Sequence, residues 1–184
     1  MKTERGAQRI PGYEIGGGSE RADKALEDIS RMFGGHTPNI HKVMANSPAM
    51  VEAFESFRRL MQHSKLRHVE REIISIEVSR RAGCDYCMTA HTWFARRFKV
   101  SEEDIIAAKT GKPMSDERLA LVQRAAQAIL DRRGRLSDEE LSDFHAAGMG
   151  NDELLETIAV IGWYVVSTYT NNLANTAIDD YWQS

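Results

Sequence analysis

At 184 residues the chain has the length of one ordinary domain, and with 42% hydrophobic and 28% charged residues it can bury a core, which restricts disorder to its ends. Lys and Arg total 24 against 27 Asp and Glu, a formal charge of -3, so the cationic excess of a dedicated nucleic-acid binder is missing. Two cysteines cannot form the disulfide framework of a small secreted fold, and the polar segment Met1 to Gly18 has no signal-peptide core, so a reducing cytoplasm is the expected compartment.

Residues 1–18, with Gly6, Pro11, Gly12 and Gly16 to Gly18, read as an extended or mobile arm suited to docking on a neighbour, and residues 19–184 as one helical domain. A first helix is predicted over Glu20 to Phe33, with Ala22, Ala25, Leu26, Ile29 and Phe33 on one stripe and Gly34-Gly35 ending it. Pro38 opens a short helix. Ser47-Pro48 reads as a cap with a proline at the first helical position, starting a helix whose Met50, Val51, Phe54, Phe57, Leu60 and Met61 recur at threes and fours. From about Arg67 to Ala82 the chain is apolar on more than one face, which predicts a central helix terminated by Gly83.

The next helix begins at Cys84 and runs to about Phe98, followed by one capped by Ser101, another from Ser115 through Arg118 to Leu130, and one from the capping box at Ser137 to Gly148. Asn151 opens the long final helix. Its uncharged stretch Thr157 to Ile178 turns polar at Asn171, Asn172 and Asn175, so a buried core helix explains it better than a membrane span. No window alternates as a half-buried strand does, and the fold class is all-α.

Cys84, Cys87 and His91 lie at i, i+3 and i+7, which places all three on one helical stripe. Sulfurs so spaced at a helix start can close a disulfide, and the unpaired N–H groups there favour a thiolate. His91, one turn past Cys87, can exchange a proton with it. Glu72 is the carboxylate that would orient this histidine. In one unbroken helix it would stand about 18 Å from Cys84, at roughly 1.5 Å per residue. A reversal at Gly83 brings it level with His91 instead, and the expected path is Glu72 to His91 to cysteine.

Other readings of these residues fare worse. A structural zinc site needs four clustered ligands, whereas i and i+7 are about 10 Å apart and no second CxxC follows. Covalent haem attachment needs a histidine where Met88 stands. A thioredoxin-type CxxC would follow a strand, and this one follows a helix. No metal and no cofactor is expected. Inert core cysteines beside a satisfied buried histidine are the bland alternative.

The run Arg71-Glu72, Cys84-Asp85-Tyr86-Cys87 and His91 resembles the signature of the alkylhydroperoxidase D-like proteins within the carboxymuconolactone decarboxylase superfamily. Pro38-Asn39, Ser47-Pro48 and Thr170-Asn171-Asn172-Leu173-Ala174 resemble positions of its peroxidase-related members, which extends the likeness over about residues 33–180. The resemblance implies an all-helical, homo-oligomeric antioxidant enzyme with a helical hairpin carrying CxxC. It implies a hydroperoxide substrate and a dithiol or protein reductant; on charge and hydropathy, no nucleic-acid or membrane partner is expected. Cys84 and Cys87 would cycle between dithiol and disulfide while Glu72 and His91 relay protons. Two departures are visible. Alkylhydroperoxidase D has a histidine where Tyr86 stands, and tyrosine can only hydrogen-bond there. True carboxymuconolactone decarboxylases do not use this cysteine pair, so lactone chemistry is an alternative, as is a non-enzymatic helical oligomer.

Cys84 is nearer the helix N-terminus and Cys87 nearer His91; on the second count, and because Asp85 works against a Cys84 thiolate, Cys87 is read as the attacking sulfur and Cys84 as the resolving one. His36, His41, His63, His68 and His145 share no ligand spacing and are assigned no chemistry, with His68 alone able to border the site. Trp93 and Phe94 are read as packing in preference to substrate contact. Trp163, Tyr164, Tyr169 and Trp182 are assigned to core or subunit contacts, and Arg80 and Arg81 to a solvated helix end.

Overall fold

A computed structural model describes residues 6–183, and the described residues form nine α-helices and a closing 3-10 turn with no strand. The polar residues at the helix starts act as the sequence predicts. Ser19 accepts from Ala22 N and starts α1 (Glu20–Met32), and Ser47 accepts from Met50 N and starts α3 (Pro48–Met61). Between them α2 (Asn39–Met44) begins after Pro38. In α3 the predicted stripe is only partly used: Val51, Phe54 and Met61 are buried, whereas Leu60 is 70% exposed.

The centre of the molecule is α4 (His68–Ala82), which packs against α5 (Asp85–Arg97), α6 (Glu102–Thr110), α7 (Glu117–Arg132) and α9 (Asn151–Ala174). Ile73, Ile74 and Ile76 at its middle are fully buried and face two sides. Ile74 belongs to the large core shared with α1, α3 and α9; Ile73 and Ile76 join the smaller one between α5, α6 and α7. A helix that serves two cores must be apolar on more than one face, as its sequence is.

Gly83 ends α4 in the left-handed region (φ 61°, ψ 35°), and Cys84 N donates to Ser79 O at 3.0 Å. This reversal turns α5 back along α4. Ser101 caps α6 and Ser137 starts α8 (Asp138–Ala146) as expected, but Asp116, not Ser115, caps α7. Ser115 N and Oγ instead donate to Asp104, which ties that turn to the start of α6.

The arm carries no helix over residues 6–18. Over residues 6–18 it lies on its own chain: Arg9 N donates to Ala174 O at 2.7 Å, Ala177 N to Gln8 Oε1 at 3.0 Å, and Tyr13 N to Lys42 O at 2.8 Å. Asn175, in the left-handed region at the end of α9, supplies its side-chain amide to Ala7 O at 3.1 Å. Residues 1–5 of the predicted arm lie outside the described residues. No helix among the described residues is long and apolar enough to cross a membrane. The uncharged part of α9 buries Val160, Ile161, Trp163 and Tyr164 against the core.

Candidate active site

The reversal at Gly83 does what the site needs first. Glu72 on α4 and His91 on α5, nineteen positions apart in sequence, meet with Oε2 2.7 Å from Nδ1. A carboxylate can only accept, so the ring hydrogen sits on Nδ1 and Nε2 is left as the base. Tyr164 of α9 stands edge-on to the imidazole, with centroids 4.5 Å apart at 85°, and fixes its plane. Burial, and next to it the charge of Glu72, pushes the Tyr164 phenol well above its usual range, so this neighbour stays neutral.

Cys84 is the N-cap of α5 and accepts from Cys87 N at 3.4 Å, which puts Cys87 in the first turn. The two are reduced and buried, Cys84 at 2% and Cys87 at 1% exposure. Cys87 Sγ lies 3.4 Å from Ser167 Oγ and receives Asn171 Nδ2 at 3.2 Å, both from α9. Burial pushes the Cys87 thiol well above its usual range, and the neighbouring Cys84 raises it further; the hydrogen bonds from Ser167 and Asn171 pull the other way and lose. At rest Cys87 is therefore a thiol that must hand its proton to a base before it can attack.

Cys87, His91 and Glu72 share the wall of a cavity of about 260 Å³, whose remaining lining is largely aromatic. Cys84 does not reach it. Cys84 borders a separate polar cavity of about 300 Å³ between Asp85, Asn171, Asn172 and Asn175 and the arm residues Gly6, Ala7 and Arg9. Of the four residues singled out in the sequence, three therefore face one space and the fourth faces another, with the two sulfurs joined through the first turn of α5.

Several assignments change. Trp163, Tyr164 and Trp182 line the cavity and are not merely core or subunit contacts, and Phe94 lines it while Trp93 does not. Tyr169 is 64% exposed. His68 borders the cavity, as foreseen, stacked on Phe98 with centroids 5.9 Å apart. His41, given no chemistry in the sequence, also lines it. Arg80 and Arg81 stay partly solvated at the helix end, as expected, and both also donate to the buried carboxylate of Glu77 at 2.6 Å. Tyr86, where a relay histidine would stand, donates to Asp179 Oδ2 at 2.6 Å and accepts from Ile40 N at 3.2 Å, so it locks α5 to α2 and the C-terminal turn. Ser167 was missed. The only sequence signal for this wall was the Thr170 to Ala174 segment, which contains Asn171.

Residues 48–110 match the model of the carboxymuconolactone decarboxylase family, a span that contains α3, the α4–α5 hairpin and α6. No curated protein matches the chain. Among solved structures the chain is similar to an uncharacterized peroxidase-related protein with an alkylhydroperoxidase AhpD core from Ralstonia eutropha JMP134. The TM-score is 0.82 at 16% identity, over 95% of this chain and 94% of that one. An uncharacterized peroxidase-related protein from Silicibacter sp. TM1040 gives 0.77 at 16% identity, over 100% and 98% of the two chains. The debrominase Bmp8 gives 0.74 at 17% identity, over 95% and 94%. At such identities these likenesses establish the fold.

Proposed function

We propose that this chain, whose residues 48–110 match the carboxymuconolactone decarboxylase family, whose fold is alkylhydroperoxidase D-like and whose Cys87 lines the cavity, is a homo-oligomeric thiol-dependent peroxidase. The observation that carries the reading is the shared wall: an attackable sulfur, Cys87, beside an imidazole already oriented by a carboxylate at 2.7 Å. His91 Nε2 takes the Cys87 proton across the cavity as a hydroperoxide enters. The thiolate attacks the terminal peroxide oxygen, the O–O bond breaks, and the departing alkoxide recovers the proton from His91 as an alcohol. Cys87 is left as a sulfenic acid. Cys84 attacks that sulfur, a disulfide forms and water leaves. The sum is one hydroperoxide and two thiols giving an alcohol, water and a disulfide. A dithiol or protein reductant then restores the pair by thiol exchange.

The deciding measurement is a thiol titration before and after one equivalent of hydroperoxide, with mass-spectrometric mapping of a Cys84–Cys87 bond. Both thiols should disappear and return with a reductant, and Cys84→Ser and Cys87→Ser should each lose at least about a hundredfold in turnover. A sulfenic-acid trap should mark Cys87 in the Cys84→Ser protein. Activity on a lactone that survives both substitutions would instead favour decarboxylase-type chemistry, and thiols inert to peroxide would favour a structural oligomer.

A second reading uses the same sulfurs. The aromatic cavity and the likeness to a debrominase support reductive removal of bromine from an aromatic ring. In that reaction the aryl bromide and two thiols give the arene, a disulfide and hydrogen bromide. Bromide release from a bromoarene with no thiol loss on hydroperoxide would select it.

A further inference from the structure

A second histidine–carboxylate pair stands in the same cavity, remote in sequence from the dithiol. His41 on α2 and Glu55 on α3 are each 6% exposed, Nε2 lies 3.3 Å from Oε1, and Arg58 Nε donates to Glu55 Oε2 at 2.6 Å. Burial raises the Glu55 carboxyl, but its contacts with His41 and Arg58 outweigh burial and hold it below the usual range, as a carboxylate. Nε2 is the nitrogen turned to Glu55, and Nδ1 is left for another partner. Among the described residues that Nδ1 has no hydrogen-bond partner, although it is buried, and the same is true of Glu55 Oε1 and of the indole N–H groups of Trp163 and Trp182. All four residues line the cavity. Buried polar atoms are as a rule satisfied, so four left open on side chains around one apolar space point to a ligand's polar group there.

The wall between the two pairs is continuous. The ring of Phe54 lies 5.8 Å from His41 and 5.6 Å from Trp163; Trp163 is 4.7 Å from Tyr164, which is 4.5 Å from His91. A cavity of about 150 Å³ takes up benzene, and this one measures about 260 Å³, enough for one ring with short substituents. Histidines aside, its charged groups are Arg58 and Arg71 against Glu55 and Glu72, which cancel and favour a neutral guest. A hydroxyl can donate to the imidazole and accept from an indole N–H at once.

We propose that the His41 end of the cavity binds the hydroxyl of a small neutral aromatic molecule of the phenol class, with its ring on the aromatic wall and its reducible bond turned toward Cys87. This names the substrate class of the site described above and rests on reading the cavity as the place where Cys87 meets its substrate. The test is binding of para-cresol, its methyl ether and toluene to the reduced wild-type protein, followed by calorimetry and tryptophan fluorescence. Para-cresol should bind about tenfold or more tighter than either analogue, and His41→Leu should bring the three to within about twofold. Equal affinities in the wild type, or an undiminished preference in folded His41→Leu, would overturn the proposal. Should that variant not fold by circular dichroism, the wild-type series decides, because the methyl ether replaces the donated hydrogen and toluene removes the hydroxyl without adding bulk. Binding needs no turnover, so peroxide-inert thiols would sink the peroxidase reading while a cresol preference would stand; the opposite pattern would sink the hydroxyl site alone.

Discussion

In the proposed relay Glu72 would act on sulfur only through His91, which would make it a positioning residue with a specific signature. In Glu72→Gln the amide can donate to Nδ1 and hold the ring hydrogen on Nε2, so the base that should receive the Cys87 proton is already occupied. The peroxidase rate should fall about a hundredfold or more, with the melting temperature little changed. Alkylation of Cys87 in this variant should be slow at neutral pH and keep accelerating above about pH 8.5, the ordinary thiol value, because burial and Cys84 push its pKa upward. A wild-type rate would remove Glu72 from the relay. The Glu72–His91 pair was legible because a glycine terminator and helix counting fix which residues come level. His41 and Glu55 were not legible: they sit on different helices, and only the packing of α2 on α3 brings them together.

The α4–α5 hairpin carries its own clamp. Glu77 is fully buried between Arg80, Arg81 and Gln127 of α7, while the two guanidiniums keep about a third of their surface in water, at 31% and 30%. Breaking one side of a buried pair costs about 3 to 5 kcal/mol, so with half-wetted arginines Glu77→Gln should destabilise by about 2 to 4 kcal/mol in denaturant unfolding. Burial raises the Glu77 carboxyl, but Arg80 and Arg81 pull it below the ordinary range; Glu55 and Glu70 are lowered in the same way by their own partners. A depressed folded pKa gives stability that is complete above the unfolded value of about 4.3 and lost as pH falls through the folded value. Wild-type stability should therefore drop on acidification from pH 5 toward pH 3, and the drop should be smaller in Glu77→Gln; equal acid sensitivity would show that the clamp contributes nothing. Helix positions were readable from Ser, Pro and Gly at their ends. The start of α7, expected at Ser115, falls later because Asp116 caps the helix while Ser115 is engaged by the distant Asp104.

At the scale of the whole molecule the final helix has two characters. One face fills the core; the other exposes Leu155 at 65%, Ile158 at 48%, Tyr169 at 64% and Leu173 at 66%. An apolar stripe of this kind is where the proposed homo-oligomer would be joined. Leu155→Glu combined with Leu173→Glu should lower the mass seen by light scattering. A wild-type protein of single-subunit mass would discard the oligomer, and an unchanged larger mass would place the contact elsewhere. The uncharged run that raised the question of a membrane thus divides between a core face and this stripe, a division no composition window can reveal.

The two cysteines border different cavities, one aromatic and one polar beneath the arm. In the proposed peroxidase, oxidant and reductant would then arrive by separate doors, linked only by the electron pair passing between neighbouring turns of α5. An enzyme so arranged would not be starved by a surfeit of either visitor, since neither would block the other's entrance.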